Sequence, residues 1–121
     1  MALRTKSIYE PRAESDGIRV LITRFYPRGV KKERFDRWTK DLSPSKELLQ
    51  AYRSKEKNWD VFRSEFISQL KANPASMDAI RLVRSESKKG DVTLLCYERG
   101  ELPCHRYIVA ELIKKPKLLG T

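Results

Sequence analysis

The feature that most constrains the fold is an apolar run, Val92, Thr93, Leu94 and Leu95, without the apolar–polar alternation of a half-exposed strand. An unbroken run of this kind is typical of a strand covered on both faces, as in a parallel sheet. A β-branched run over residues 18 to 25 predicts a second strand, and residues 5 to 9 predict a short third one. The chain is therefore expected to build a sheet whose faces are covered.

Helical patterns fill most of the chain between the second strand and residue 92. Phe35, Trp38 and Leu42 recur at helical spacing and predict a helix over residues 30 to 41. The three helices that follow have capping residues at their predicted starts: Ser43 before Pro44, Asn58, and Asn73 before Pro74. A last helix is expected from about residue 104 to residue 114.

The predicted order is strand, strand, four helices, strand, helix. This order favours an α/β fold with a small, mainly parallel sheet flanked by helices. A chain of 121 residues suits one compact domain, which we place at residues 1 to 121. Ligands of such sheets bind beyond the carboxyl ends of the strands. The loops after residues 25 and 96 are therefore the expected places for a site.

Composition narrows the classes of protein. No apolar run approaches the ~20 residues needed to cross a membrane, and no secretory signal follows the N-terminal residues, so a cytoplasmic protein is expected. Two cysteines are too few for a disulfide scaffold. The spacing of these cysteines and the single histidine does not match a metal site, and no cofactor is indicated. The net charge of +10 indicates either a soluble basic surface or affinity for phosphate-bearing partners, nucleic acid included. The oligomeric state is not predicted.

Chemically active residues gather at the two edges of the loop after residue 95. Cys96 and Glu98 follow the strand, and Cys104, His105 and Arg106 open the predicted helix. Cys96 is a candidate nucleophile, His105 a candidate proton carrier and Arg106 an anion ligand. In the alternative interpretation, Cys96 is a small buried apolar residue and Cys104 packs or caps; Cys104 is also a candidate resolving thiol for Cys96.

The loop after the second strand adds a second set of candidates. Arg24 and Arg28 are suited to bidentate phosphate binding, and the Tyr26 ring is suited to stacking on a base. Alternatively, this loop is a structural turn in which Arg28 pairs with Glu98 or Asp36.

Several of these motifs together resemble the domain of unknown function 488 family. They span residues 5 to 113: Arg19-Val20-Leu21-Ile22 with Arg24, Pro27-Arg28-Gly29, Trp38, Pro44-Ser45 with Leu48, residues 59 to 66, Leu95-Cys96-Tyr97-Glu98 and Cys104-His105-Arg106. The resemblance implies a three-layer α/β fold of flavodoxin-like or rhodanese-like shape and implies no particular reaction. Thr23 stands where the family usually has an acidic residue, and Tyr26 where it has tryptophan. Glu98 is the nearest candidate for the role of that carboxylate.

The sequence thus predicts a site for a phosphate or sulfate group between the two loops. The protein is expected to be a cysteine-dependent enzyme acting on an anionic small molecule, or a nucleotide- or nucleic-acid-binding module without catalysis.

Overall fold

The computed structural model of the chain describes residues 2 to 96 and 105 to 119. Within them, four strands form one parallel sheet in the order β1-β4-β2-β3. The strands are β1 (Leu3–Ser7), β2 (Ile18–Leu21), β3 (Arg37–Trp38) and β4 (Val92–Cys96), and the helices are α1 (Lys46–Arg53), α2 (Trp59–Ala72), α3 (Pro74–Lys89) and α4 (His105–Lys114). The prediction of a small parallel α/β sheet is confirmed.

One face of the sheet and the helices share the main core. Val20 of β2 lies opposite Leu94 of β4, and both side chains are fully buried in this core. All four helices contribute to it, with Leu48 of α1 and Phe66 of α2 among the buried residues. The apolar run in β4 is buried throughout, as its lack of alternation predicts.

The opposite face is covered by loops. Leu21 and Leu95 point to this side, where Phe35 and Trp38 pack against them. A buried ion pair lies on the same face, with Arg19 donating to Asp16 at 2.5 Å. The three-layer form that the resemblance implies stays a prediction.

The helix predicted over residues 30 to 41 is wrong. This segment contains β3, with a 3₁₀ turn on either side at Lys32–Arg34 and Lys40–Leu42. Backbone bonds to β2 decide the outcome, because Asp36 N donates to Arg19 O at 2.8 Å and Thr39 N donates to Leu21 O at 2.7 Å. These bonds satisfy backbone groups that a helix would otherwise pair locally.

The predicted start of α1 at Ser43 and Pro44 is also wrong. Ser43 is extended and its hydroxyl donates to Lys40 O, whereas Ser45 is the true cap, accepting from Leu48 N at 3.2 Å. The other two predicted starts are confirmed. Asn58 caps α2 through Val61 N, and Asn73 caps α3 through Ala75 N with Pro74 in the first turn.

One strand differs in position and another in length from its prediction. β1 covers Leu3–Ser7 instead of residues 5 to 9, and β2 ends at Leu21 instead of continuing to residue 25. Beyond β2, Ile22 N still donates to Leu95 O at 3.0 Å before the chain leaves the sheet. In the described part of the chain, no helix combines the length and apolar character that crossing a membrane requires.

Candidate functional site

Cys96 and His105 meet at the carboxyl end of the sheet. Cys96 is the last residue of β4, and His105 is the first of α4, whose buried side faces the sheet. Cys96 Sγ lies 3.6 Å from His105 Nδ1, and both side chains are buried. The structure therefore brings the predicted nucleophile and proton carrier into contact.

A backbone carbonyl fixes the tautomer of His105. The ring Nε2 lies 2.5 Å from Ile22 O, which can only accept a hydrogen bond. Nε2 must therefore carry the proton in the neutral ring, and Nδ1 keeps its lone pair towards Cys96. The edge-on ring of Phe66, 5.8 Å away between centroids, further holds the imidazole plane. This geometry makes Nδ1 a proton acceptor.

Burial lowers the pKa of His105 to about 4. The hydrogen bond to Ile22 opposes this shift, whereas the positive charges of Arg106, Arg53 and Arg24 add to it. The imidazole is thus neutral near pH 7, and three guanidinium groups act on it from different elements. These three positive charges disfavour a proton on the ring and favour a negative charge beside it.

Two of the arginines whose charges act on His105 make hydrogen bonds to their neighbours. Arg24 donates from Nε to Pro44 O at 3.0 Å and from Nη2 to Ser43 O at 3.2 Å. Arg106 is 2 % exposed, and its Nη2 donates to the Tyr107 hydroxyl at 3.1 Å. The Arg24 guanidinium is therefore positioned by two backbone carbonyl groups.

Cys96 is disulfide-bonded in the structure and is not a free thiol. Cys104 and Glu98 lie outside the described residues, so the pairing of Cys96 with Cys104 and the role of Glu98 stay predictions. Thiol chemistry at Cys96 requires reduction first.

Tyr26 and Arg28 lie apart from Cys96 and His105. The Tyr26 ring packs edge-on against Phe35 and Trp38, on the face of the sheet opposite α4. The Arg28 side chain is exposed, while its carbonyl accepts from Tyr9 at 3.5 Å. Of the three ligands predicted on this loop, Arg24, Tyr26 and Arg28, only Arg24 lies on the side of the sheet where α4 and His105 pack.

The suggested pairing of Arg28 with Asp36 does not occur. Asp36 instead accepts from Arg12 and from the backbone of Arg19. Burial raises the pKa of the Asp36 carboxyl. These hydrogen bonds and the charges of Arg12 and Arg19 together lower it by more than burial raises it, so the pKa lies below its usual value.

Comparison with known proteins places the chain in a family. Residues 3–117 match the family described as the active DUF488-N3 subclade. The chain belongs to the DUF488 family. It is 30 % identical over 116 residues to the uncharacterised protein YeaO of Escherichia coli, covering 94 % of this chain and 98 % of YeaO. It is also 30 % identical over 113 residues to the uncharacterised proteins Mb3100c of Mycobacterium bovis and Rv3073c of Mycobacterium tuberculosis, with 92 % of each chain covered. No solved structure matches significantly.

Thr23 is buried and uses its hydroxyl locally. Its Oγ1 donates to Phe25 O at 2.7 Å, and its carbonyl accepts from Trp38 Nε1 at 2.8 Å. In this DUF488 chain the residue therefore shapes the turn after β2 and contributes no charge.

Sequence reasoning missed Arg53. This residue ends α1 and lies far from His105 along the chain, yet its charge lowers the pKa of that histidine. A basic last turn is common because it complements the helix dipole, so no local signal marks it as a site residue. Among the described residues, no group of three His, Cys, Asp or Glu side chains is placed to hold a metal ion.

Proposed function

We propose that the start of α4 binds a small anionic group, phosphate or sulfate, of a substrate on which reduced Cys96 acts. The contact between Cys96 Sγ and His105 Nδ1 carries this proposal, since it joins a sulfur to a neutral imidazole nitrogen that can accept a proton. The protein would then be a cysteine-dependent enzyme.

The charges around His105 support an anionic substrate. Arg24, Arg53 and Arg106 all disfavour a proton on the ring. An anion near them would be stabilised by the same charges and by the N-terminal dipole of α4. These arginines belong to different elements, so their combined effect on the ring depends on the fold and not on one helix end.

The proposed chemistry begins with reduction of the Cys96 disulfide by a thiol reductant, in keeping with a cytoplasmic protein, where cysteines are kept reduced. The Cys96 thiol then gives its proton to His105 Nδ1 while its sulfur forms a bond to the electrophilic atom of the substrate. The leaving group departs with the electron pair of the broken bond and takes the proton from His105. Atoms and charge balance without a metal or cofactor in this step.

Alkylation of Cys96 tests the proposal. A Cys104→Ser variant leaves Cys96 as the single cysteine, and the reduced protein is treated at pH 6.5 with neutral iodoacetamide or anionic iodoacetate. We expect iodoacetamide to react faster than it does with free cysteine. The rate increase over free cysteine should be larger for iodoacetate than for iodoacetamide. Inorganic phosphate should slow the alkylation.

Two further variants serve as controls for the alkylation. His105→Gln should slow both reagents, whereas Arg12→Ala, which removes an exposed arginine on the other face, should leave the rates unchanged. Reaction no faster than free cysteine would remove the nucleophile role. No preference for iodoacetate and no effect of phosphate would remove the anion site.

A second candidate function, binding of nucleotide or nucleic acid without catalysis, is favoured by an exposed aromatic and basic surface. Phe25 is 49 % and Tyr26 38 % exposed, beside the exposed residues Arg28, Lys31 and Lys32. Aromatic rings of this kind stack on bases while the cations neutralise phosphates. This surface lies on the opposite face from His105, so the two functions separate experimentally.

Salt dependence of RNA binding tests the second function. Retention on single-stranded RNA should weaken steeply with salt, and Arg28→Ala should flatten the slope by about one unit. Arg81→Ala, an exposed arginine on α3 paired with Asp78, is the matched control and should change the slope less. Absence of retention at low salt would end this candidate.

A further inference from the structure

The edge strand β1 carries backbone groups that the sheet does not pair. Among the described strands only β4 lies beside β1. Val92 N of β4 donates to Ala2 O at 2.9 Å, and successive residues of a strand point their N–H and C=O groups to opposite sides. The N–H and C=O groups of Leu3 and Thr5 therefore point away from β4, at the open edge.

At the far end of β1 the protein covers this edge itself. Ser7 N points outwards and donates to Glu10 Oε2 at 2.6 Å, and Glu10 N donates to Ser7 O at 3.0 Å. No such bonds cover Leu3 and Thr5 within the described part of the chain. These two residues therefore offer two donors and two acceptors in the geometry of a strand.

Two clefts lie alongside the open part of β1. One, of about 400 Å³, is lined by β1 and α4, and the other, of about 360 Å³, by the ends of α3 and α4. Leu3 and Lys114 line both clefts, so the two adjoin. Together they form one groove, the β1 groove, beside the unpaired backbone groups.

The β1 groove is basic. Of its described lining residues one is acidic, Glu111, and five are basic: Arg4, Arg84, Lys88, Lys114 and Lys115. Glu111 is already paired with Arg63, and Arg4 is paired with Asp91. Lys88, Lys114 and Lys115 are exposed and form no ion pair within the described residues. The charge of the groove therefore complements an acidic partner.

The open backbone groups select a peptide over other partners. An extended peptide presents donors and acceptors in the repeat of a strand, whereas a nucleic-acid backbone presents phosphate acceptors alone. A second copy of the chain fits poorly. Antiparallel pairing that sets Leu3 of one copy against Thr5 of the other places Arg4 opposite Arg4, and like charges directly opposite are destabilising.

We propose that the β1 groove binds an extended acidic peptide, which adds to β1 as a fifth strand. The peptide backbone pairs with the outward groups of Leu3 and Thr5. Its carboxylates, at alternate positions, face α4 and contact Lys114. This surface is separate from the contact between Cys96 and His105, so the inference does not depend on the proposed function.

Fluorescence anisotropy tests the inference with a labelled, end-blocked peptide of three glutamates alternating with three valines. We expect this peptide to bind, and a peptide of alternating lysine and valine to bind at least about tenfold more weakly. Two further glutamate peptides are N-methylated, one on the glutamates and one on the valines. Because a single alternate set of N–H groups faces β1, one of them should bind at least about tenfold more weakly and the other should keep its affinity.

Three variants of the full chain complete the test. Thr5→Pro removes an outward N–H from an edge strand, where proline breaks no bond of the sheet, and should weaken binding at least about tenfold. Lys114→Ala should weaken it about threefold or more. Lys71→Ala, which also removes a lysine from the last turn of a helix but lies outside the groove, should leave it unchanged. Circular dichroism checks that each variant folds.

Several results would overturn the inference. They are no binding of the glutamate peptide, equal affinities of the glutamate and lysine peptides, and equal affinities of the two N-methylated forms. Dimerisation in sedimentation that Thr5→Pro abolishes would assign the edge to a second copy instead. Competition of the peptide by single-stranded RNA, with RNA binding that survives Thr5→Pro and is lost in Lys114→Ala, would assign the groove to nucleic acid.

Discussion

At the scale of single residues, His105 determines how the candidate site responds to acid. Its neutral ring is buried between Ile22 O and Cys96, with three arginines raising the cost of a second ring proton. In the unfolded chain the same ring has an ordinary pKa of ~6.5. The folded state therefore binds fewer protons than the unfolded state between these two values.

This difference predicts a loss of stability in mild acid. Because the folded pKa is about 4, the free energy of unfolding should fall as the pH drops from 6.5 to 4 and level off below that. The loss contributed by His105 is about 3 kcal/mol. Urea denaturation at several pH values measures it, and a His105→Gln variant should lack this part of the slope. An equal slope in the variant would contradict the account.

Asp16 is the second residue whose charge matters to the fold. Burial raises the pKa of its carboxyl. The hydrogen bonds from Ala13 N, Lys6 and Arg19 together lower it by more than burial raises it, so the pKa lies below its usual value. The carboxyl side chain is 3 % exposed and the Arg19 side chain 0 %. Arg19 therefore depends on Asp16 for compensation of a fully buried charge.

Removing Asp16 should destabilise the protein strongly. Asp16→Ala leaves Arg19 buried without its carboxylate and should cost about 3–5 kcal/mol. Arg12→Ala breaks an ion pair whose side chains are 39 % and 44 % exposed, and should cost at most about 1 kcal/mol. Denaturant unfolding compares the two, and similar losses would refute the importance of the buried pair.

At the scale of elements, Gly17 fixes the entry to β2. Its φ of 62° and ψ of −131° lie in a region that only glycine adopts easily. A Cβ built there would lie 2.0 Å from Asp91 O, which accepts from Ile18 N where β2 meets β4. Neither backbone can move away without disturbing that pairing.

Gly17→Ala should therefore cost about 3 kcal/mol or more. Gly29→Ala is the matched control, because Gly29 has a φ of 76° and a Cβ added there would have no atom within 4 Å. It should cost only about 1–2 kcal/mol of backbone strain. Thermal and urea unfolding measure both variants, and equal losses would show that the contact with Asp91 O is unimportant.

Local signals explain which elements the sequence predicts well. Asn58 and the pair Asn73 and Pro74 mark helix starts through bonds within the first turn, so they act without the rest of the fold. β3 depends on hydrogen bonds to β2, on the far side of the intervening loop. The helical spacing of Phe35 and Trp38 therefore misleads, because pairing with β2 outweighs it.

At the scale of the whole molecule, the parallel sheet explains why half of the candidate site was predictable. Cys96 ends a strand and His105 begins a helix a few residues later in the sequence, so their contact was predictable from the end of the strand and the start of the helix. Arg24 joins them because β2 lies beside β4. Tyr26 points to the opposite face, and only the three-dimensional path of the turn after β2 decides this.

The distribution of charge is also a property of the whole molecule. The net charge of +10 is spread along the sequence, but the positive charges of Arg106, Arg53 and Arg24 all act on one buried histidine. Opposite charges compensate Arg19 on the other face. An anion is therefore expected on the helix side of the sheet.

The most direct test of this account is the pKa of His105 in the presence and absence of inorganic phosphate. The chain has one histidine, so its ring signals in a nuclear magnetic resonance spectrum need no assignment. Without phosphate we expect a pKa of about 4. Saturating phosphate should raise it by about one unit, because a nearby negative charge favours the protonated ring. The same pKa in phosphate and in potassium chloride of equal ionic strength would contradict an anion site beside His105.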